Sequence, residues 1–72
     1  MNVSDATTRK TAKKLKEIRL SKRLRQSDVA DKANINVNYY AKIERAELKP
    51  SVEVYERLAK ALKVTSADIF PF

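Results

Sequence analysis

The sequence predicts an all-α domain, a compact bundle of five helices, and three observations predict it. Apolar residues recur at spacings of three and four along most of the chain, no stretch alternates apolar and polar residues as a strand would, and helix-stopping and helix-starting residues punctuate the pattern at short intervals. With 72 residues there is material for one domain, because a chain of this size buries only about 60% of the surface its unfolded form exposes.

The elements follow in order. Residues 1–7, MNVSDAT, are polar and lack periodicity, so a frayed, flexible tail is expected before a domain over 8–70, with 71–72 as a C-terminal tail. From about residue 8 to residue 22, Ala12, Leu15 and Ile18 step by three while lysines and arginines fill the other faces, the pattern of an amphipathic first helix. A second helix over 26–33 turns Val29, Ala30 and Ala33 inward and places Asp28 near its positive N-terminal end. It is barely two turns long and needs tertiary support. Asn34 is the non-glycine residue best suited to the left-handed conformation that ends a helix, and Asn36 is a good N-cap. NIN therefore reads as helix stop, buried Ile35, helix start. The third helix covers 37–45 with Tyr40 and Ile43 inward. AELKPS is a loop in which Pro50 discourages helix at Lys49 and Ser51 is an N-cap. A fourth helix over 52–63 carries Val52, Tyr55, Leu58, Ala59 and Leu62 on one stripe, and Thr65 or Ser66 caps a last turn, ADIF.

Composition narrows the function. The chain has no Cys and no His, which removes the disulfide scaffold, the usual structural-zinc ligands, thiol nucleophiles and the commonest general base. No carboxylate constellation replaces them, so no enzyme, metal, cofactor or small-molecule substrate is expected. There is neither an apolar stretch long enough to span a bilayer nor a signal-like N-terminus, and the expected location is the cytoplasm, without a membrane partner. The charge is asymmetric. Residues 1–25 hold nine Lys and Arg against Asp5 and Glu17, whereas residues 26–72 hold seven of each sign, so the whole net charge of +7 belongs to the first third. Such a distribution suits a polyanion, or simply a solvated, soluble face.

Two short helices joined by a three-residue bend form a helix-turn-helix unit, whose second helix can lie in a DNA major groove about 12 Å wide. By its residues the chain resembles the Cro and phage-repressor class of helix-turn-helix domains, the xenobiotic-response-element family, over residues 15–70. The matching marks are Ile18 and Arg19 closing helix one, Gln26 opening helix two, Val29 and Ala30 within it, IER closing helix three, Pro50 and Ser51 opening helix four, and the run LAKALKVTSADIF. The resemblance implies a lambda-repressor-like DNA-binding domain and a sequence-specific regulator of transcription, a repressor or autoregulator, that binds a palindromic operator in double-stranded DNA as a homodimer. Some proteins of this fold instead act as antitoxins or as coactivators bridging other proteins, which is the rival expectation. The family commonly has glycine where this chain has Arg23, Asn34 and Ala46. Asn34 tolerates a left-handed backbone, but Arg23 and Ala46 would each cost about 1 kcal/mol in it.

The resemblance also implies roles. Gln26, at the start of helix two, would contact a phosphate, as free amides and the helix dipole there favour an anion. Val37, Asn38, Ala41 and Lys42 lie opposite Tyr40 and Ile43 and face the groove: Asn38 suits adenine, Lys42 guanine, and Val37 with Ala41 a thymine methyl. Tyr39 falls off the buried stripe and would offer its hydroxyl to the backbone, while Tyr40 takes a core position and needs a partner at the rim. Arg45, Lys49 and Ser51 are further phosphate candidates, and Lys10, Lys13 and Lys14 could extend that footprint. Arg19 and Glu44 are the expected internal ion pair. Phe70 and Phe72, in IFPF, are the expected dimer contact, with Ile69 sealing the core.

Overall fold

The computed structural model describes residues 5–70. Five helices follow in order, α1 (Ala6–Ser21), α2 (Gln26–Ala33), α3 (Val37–Glu44), α4 (Val52–Leu62) and α5 (Ser66–Ile69). α2 packs on α4 and α3, α1 packs on α3 and α5, and α5 closes against α4. Leu15, Val29, Ala30, Tyr40, Ile43, Leu58, Leu62 and Ile69 meet at the centre, essentially without solvent exposure. Side chains from all five helices thus share one core, the condition under which two-turn helices such as α2 and α3 are stable. Among the described residues, no helix is long and apolar enough to cross a membrane.

α1 begins two residues before the expected start. Asp5 is its N-cap, with Oδ1 accepting the Thr8 N–H at 2.7 Å, so Ala6 and Thr7 belong to the first turn and not to a tail. Thr8 and Thr11 are buried beside Ala12 and Leu15, which prolongs the inward stripe toward the N-terminus. Thr11 satisfies its hydroxyl on the Thr7 carbonyl at 2.8 Å, so a residue that looks polar in sequence behaves as a core residue. Residues 1–4 and 71–72, including Phe72, lie outside the described residues.

The later elements sit where the spacing places them, with local differences. Asn36 caps α3, its Oδ1 accepting from the Asn38 and Tyr39 amides, and Ser51 caps α4 through Val54 N–H at 3.2 Å. Thr65 precedes α5, and its N–H and hydroxyl both donate to Asp68 Oδ2. Ile18 and Ile35 are half-buried at the margin of the core. Val52 is a correction: placed inward by its spacing, it is 71% exposed. It occupies the first position of α4, and its side chain stays in solvent while Tyr55, Leu58, Ala59 and Leu62 of the same stripe are buried.

The helices end in a way that uses no glycine. Arg23, Asn34, Ala46 and Lys63 all adopt left-handed backbone with φ of 57 to 58°. In each case the next N–H reaches the carbonyl five residues back, Leu24 to Arg19, Ile35 to Ala30, Glu47 to Lys42 and Val64 to Ala59, at 2.9–3.1 Å. Arg23, Asn34 and Ala46 are the positions the sequence marks. Lys63 is new, and it ends α4 one residue before the expected limit. A Cβ in this conformation costs roughly 1–2 kcal/mol, an amount that the closing hydrogen bonds and the burial of Leu24, Ile35 and Val64 against the core must offset. Replacing Ala46 by glycine is accordingly expected to raise stability by about 0.5–1 kcal/mol in urea unfolding, and replacing it by valine to lower it.

Candidate nucleic-acid interface

α2 and α3 meet through Asn34, Ile35 and Asn36, and this bend decides which side of α3 is left open. The left-handed Asn34 stops α2, half-buried Ile35 pins the bend to the core, and Asn36 restarts the helix. Tyr40 and Ile43 are then driven inward. Val37, Asn38 and Lys42 are exposed and Ala41 is half-buried on the opposite side, with Arg45 one turn beyond Ala41. The four expected base-reading residues therefore share one outward face. Tyr39 is half-buried, its ring packed against the core margin.

Beneath that face lies a charged network. Glu44, at the end of α3, and Arg19, on α1, have side chains only 2% and 9% exposed. Arg19 Nε donates to Glu44 Oε2 at 2.6 Å and Nη2 to Oε1 at 3.0 Å, while Nη1 donates to the Leu24 carbonyl at 2.9 Å. The expected ion pair is thus bidentate and also fastens the bend after α1. Gln26 adds a third partner, its Nε2 donating to Glu44 Oε1 at 3.0 Å. The carboxylate so joins α1, α2 and α3. Burial by itself would raise the Glu44 pKa, but the hydrogen bonds it receives, Arg19 foremost, hold it below its ordinary value of 4.5. The Tyr40 hydroxyl is buried with no partner of regular hydrogen-bond geometry. Burial first, and then the adjacent Glu44 carboxylate, push its pKa far up, so it stays protonated.

The expected phosphate ligands are distributed as follows. Gln26 stands at the start of α2 with its amide turned to Glu44, which ties the candidate contact to the internal network. Arg45 is exposed and bound to Glu47 at 2.6 Å. Lys49 pairs with Asp5 at 3.6 Å, and Ser51 Oγ is engaged as the α4 cap. Lys13 is exposed on α1. Lys10 and Lys14 line a cleft of about 740 Å³ between α1 and α5, together with Val64, Asp68 and Phe70, and no residue of α3 lines it. Phe70 is half-buried, packed edge-on against Tyr55 with ring centroids 4.9 Å apart, so part of its apolar surface is already committed to its own protomer.

Three acidic residues pair with exposed cations in ways the sequence pattern alone does not assign. Asp28 accepts the Arg25 N–H at 2.8 Å and pairs with its guanidinium at 3.0 Å. The side-chain hydrogen bond from Arg25, and then the backbone one, hold the Asp28 pKa low. Glu47 binds Arg45, and Asp5 binds Lys49. Close spacing of opposite charges in RQSD and RAE was the available signal for the first two. Nothing in the local sequence pairs Asp5 with Lys49, 44 residues apart in this numbering.

A family model described as helix-turn-helix matches residues 15–69. The chain is 35% identical over 60 residues to the HTH-type transcriptional regulator DdrOP3 of Deinococcus deserti, an alignment covering 83% of this chain and 46% of that protein. The chain thus spans about half the length of this curated relative. Among solved structures, the restriction-modification controller protein C.AhdI from Aeromonas hydrophila superposes with a TM-score of 0.85 at 27% identity, covering 88% of this chain and 96% of that one. The controller protein C.Esp1396I, as a tetramer in complex with its natural 35 base-pair operator, superposes with a TM-score of 0.85 at 30% identity over 89% of this chain and 84% of that one.

Glu44→Ala is expected to cost about 3–5 kcal/mol in thermal or urea unfolding, since it leaves the Arg19 charge buried without its partner. Glu47→Ala should leave the melting midpoint near that of the wild type. Because the folded-state pKa of Glu44 is lowered, its contribution is fully present above its ordinary value and is lost as pH falls through the lowered one. Acid unfolding of the wild type should therefore converge on that of Glu44→Gln, which lacks this titration, and parallel curves would contradict the buried bridge.

Proposed function

The chain belongs to the helix-turn-helix family, of the xenobiotic-response-element type, and we propose that it is a sequence-specific regulator of transcription, a repressor or autoregulator, that binds a palindromic operator in double-stranded DNA as a cytoplasmic homodimer. The observation that carries this reading is the outward face of α3. Val37, Asn38, Ala41 and Lys42 offer an apolar contact, an amide and an ammonium side by side on a helix held rigidly by Glu44 beneath it. Those are the groups that read thymine methyls, adenine and guanine in a major groove. The positive end of α2 at Gln26, joined to the end of α3 through Glu44, and the cations Arg45 and Lys49 that follow α3 in the chain would set its register on the phosphates. Two relatives support the reading: DdrOP3 is a transcriptional regulator by name, and C.Esp1396I has been solved with its operator.

A single recognition helix reads only a few base pairs, so the proposal includes pairing of two copies on half-sites about 34 Å apart. Phe70 is the described part of the contact first expected at the C-terminal end. Its partial packing on Tyr55 leaves a smaller apolar surface than a free ring would give.

Selection of bound sites from random duplexes tests the proposal directly: a recovered palindrome is the expected product, and enrichment of no sequence rejects it. Asn38→Ala and Lys42→Ala should each lose about 1–3 kcal/mol on the preferred site while leaving random-sequence binding nearly unchanged. Gln26→Ala and Tyr39→Phe should instead weaken binding on all sequences alike. In sedimentation, Phe70→Ala should shift the protein toward monomer, and a folded variant that stays dimeric moves the interface elsewhere.

A further inference from the structure

Three of the four left-handed helix closures are followed by an apolar residue packed on the core, Leu24, Ile35 and Val64. The fourth, at Ala46, is followed by Glu47, which is exposed. The Glu47 N–H is fixed on the Lys42 carbonyl at 3.0 Å. Its carboxylate turns back onto Arg45, Oε2 accepting from Nε at 2.6 Å and Oε1 from Nη2 at 3.3 Å. The charge of Lys42 also acts on this carboxylate. The left-handed closure therefore places an acid against Arg45, just past the C-terminal end of the helix whose outer face would approach a polyanion.

We propose that Glu47 is a specificity-setting positioning residue, which orients the Arg45 guanidinium in one preferred direction and so suppresses sequence-independent DNA binding more than binding to the preferred site. The inference rests on the DNA-binding reading given above. Sequence-independent binding draws on cations free to meet whatever phosphate lies nearest. A guanidinium held by two hydrogen bonds and neutralised by its partner serves that mode poorly. On a preferred site, docking of α3 fixes one phosphate relative to Arg45. The Nη1 edge, which the two hydrogen bonds leave open, then meets it with less rotational freedom left to lose. Repulsion between Glu47 and DNA acts on both kinds of duplex, whereas the ordered fork helps only where the phosphate position is defined.

The test compares the wild-type chain with Glu47→Gln on a random-sequence duplex and on the duplex that the wild type selects, across a salt series. Glu47→Gln should bind random duplex about five-fold more tightly, the effect of one solvent-screened contact charge. On random duplex its dependence of log K on log salt should steepen by about 0.9, one additional phosphate neutralised. The selected duplex should gain less, so that the ratio of the two affinities narrows. In an Arg45→Ala background the same substitution should leave that ratio unchanged. Equal gains on both duplexes, an unaltered random-duplex affinity, or a ratio that still narrows without Arg45 would overturn the role of Glu47 and leave the regulator reading in place. A wild type that selects no duplex overturns both. Melting curves of Glu47→Gln, expected to match the wild type, keep a folding defect from imitating either result.

Discussion

The carboxylate of Glu44 is the interaction on which the arrangement of the first three helices depends. It is nearly inaccessible, it carries a full charge, and its oxygens receive donors from α1 and α2. A buried charge is tolerated only when its partners are positioned to receive it, so the same requirement that makes the network costly also makes it discriminating. Any arrangement of α1, α2 and α3 that pulled Arg19 or Gln26 away would strand an ionised group in the interior. The buried hydrophobic residues, among them Leu15, Val29 and Ile43, could repack with less penalty. The apolar core supplies cohesion, and Glu44 selects one geometry among the compact alternatives.

That geometry connects the interior to the surface. Gln26 is at once a partner of Glu44 and the first residue of α2, and Tyr40, beside the carboxylate, lies on the reverse of the exposed face of α3. The orientation of Asn38 and Lys42 is thus settled by contacts that neither residue makes. At the outer rim the electrostatics have another character. Arg25, Arg45 and Lys49 each have an acidic neighbour within 4 Å, and those pairs are solvent-exposed, so their energetic weight is small and depends on salt. The protein consequently sets a buried charge network that fixes helix geometry beneath exposed pairs that orient and partly neutralise the surface cations.

Much of this was legible in the chain. Helix positions followed from the spacing of Leu15, Val29, Tyr40, Leu58 and similar residues, and the starts of α3 and α4 from Asn36 and Ser51, because capping is a local interaction that local sequence records. The Arg19–Glu44 bridge and the outward face of α3 followed from resemblance joined to helical geometry. What was missed has a common origin in tertiary placement. Val52 fits the stripe but is exposed at the first position of α4, and Thr8 and Thr11 look polar yet are buried. The Gln26 amide turns to a residue 18 positions away. Spacing tells which face a residue occupies, and only packing tells what that face meets.

The helix ends of this chain carry a further consequence. Arg23, Ala46 and Lys63 have little intrinsic tendency toward left-handed backbone, so the stop signals at the ends of α1, α3 and α4 are not written in those residues alone. They arise when Leu24 and Val64 find the core and when the tight closing hydrogen bonds form. Helix length is then an outcome of assembly, and the boundaries appear with the tertiary structure instead of preceding it. A chain of this kind has few partly built states in which one helix is correct and the next is absent, since an unsupported α1 has no reason to end at Ser21. The absence of glycine also narrows the unfolded ensemble at these positions. The first effect couples each helix end to the packing of the core, and the second favours the folded chain by leaving it less conformational entropy to lose.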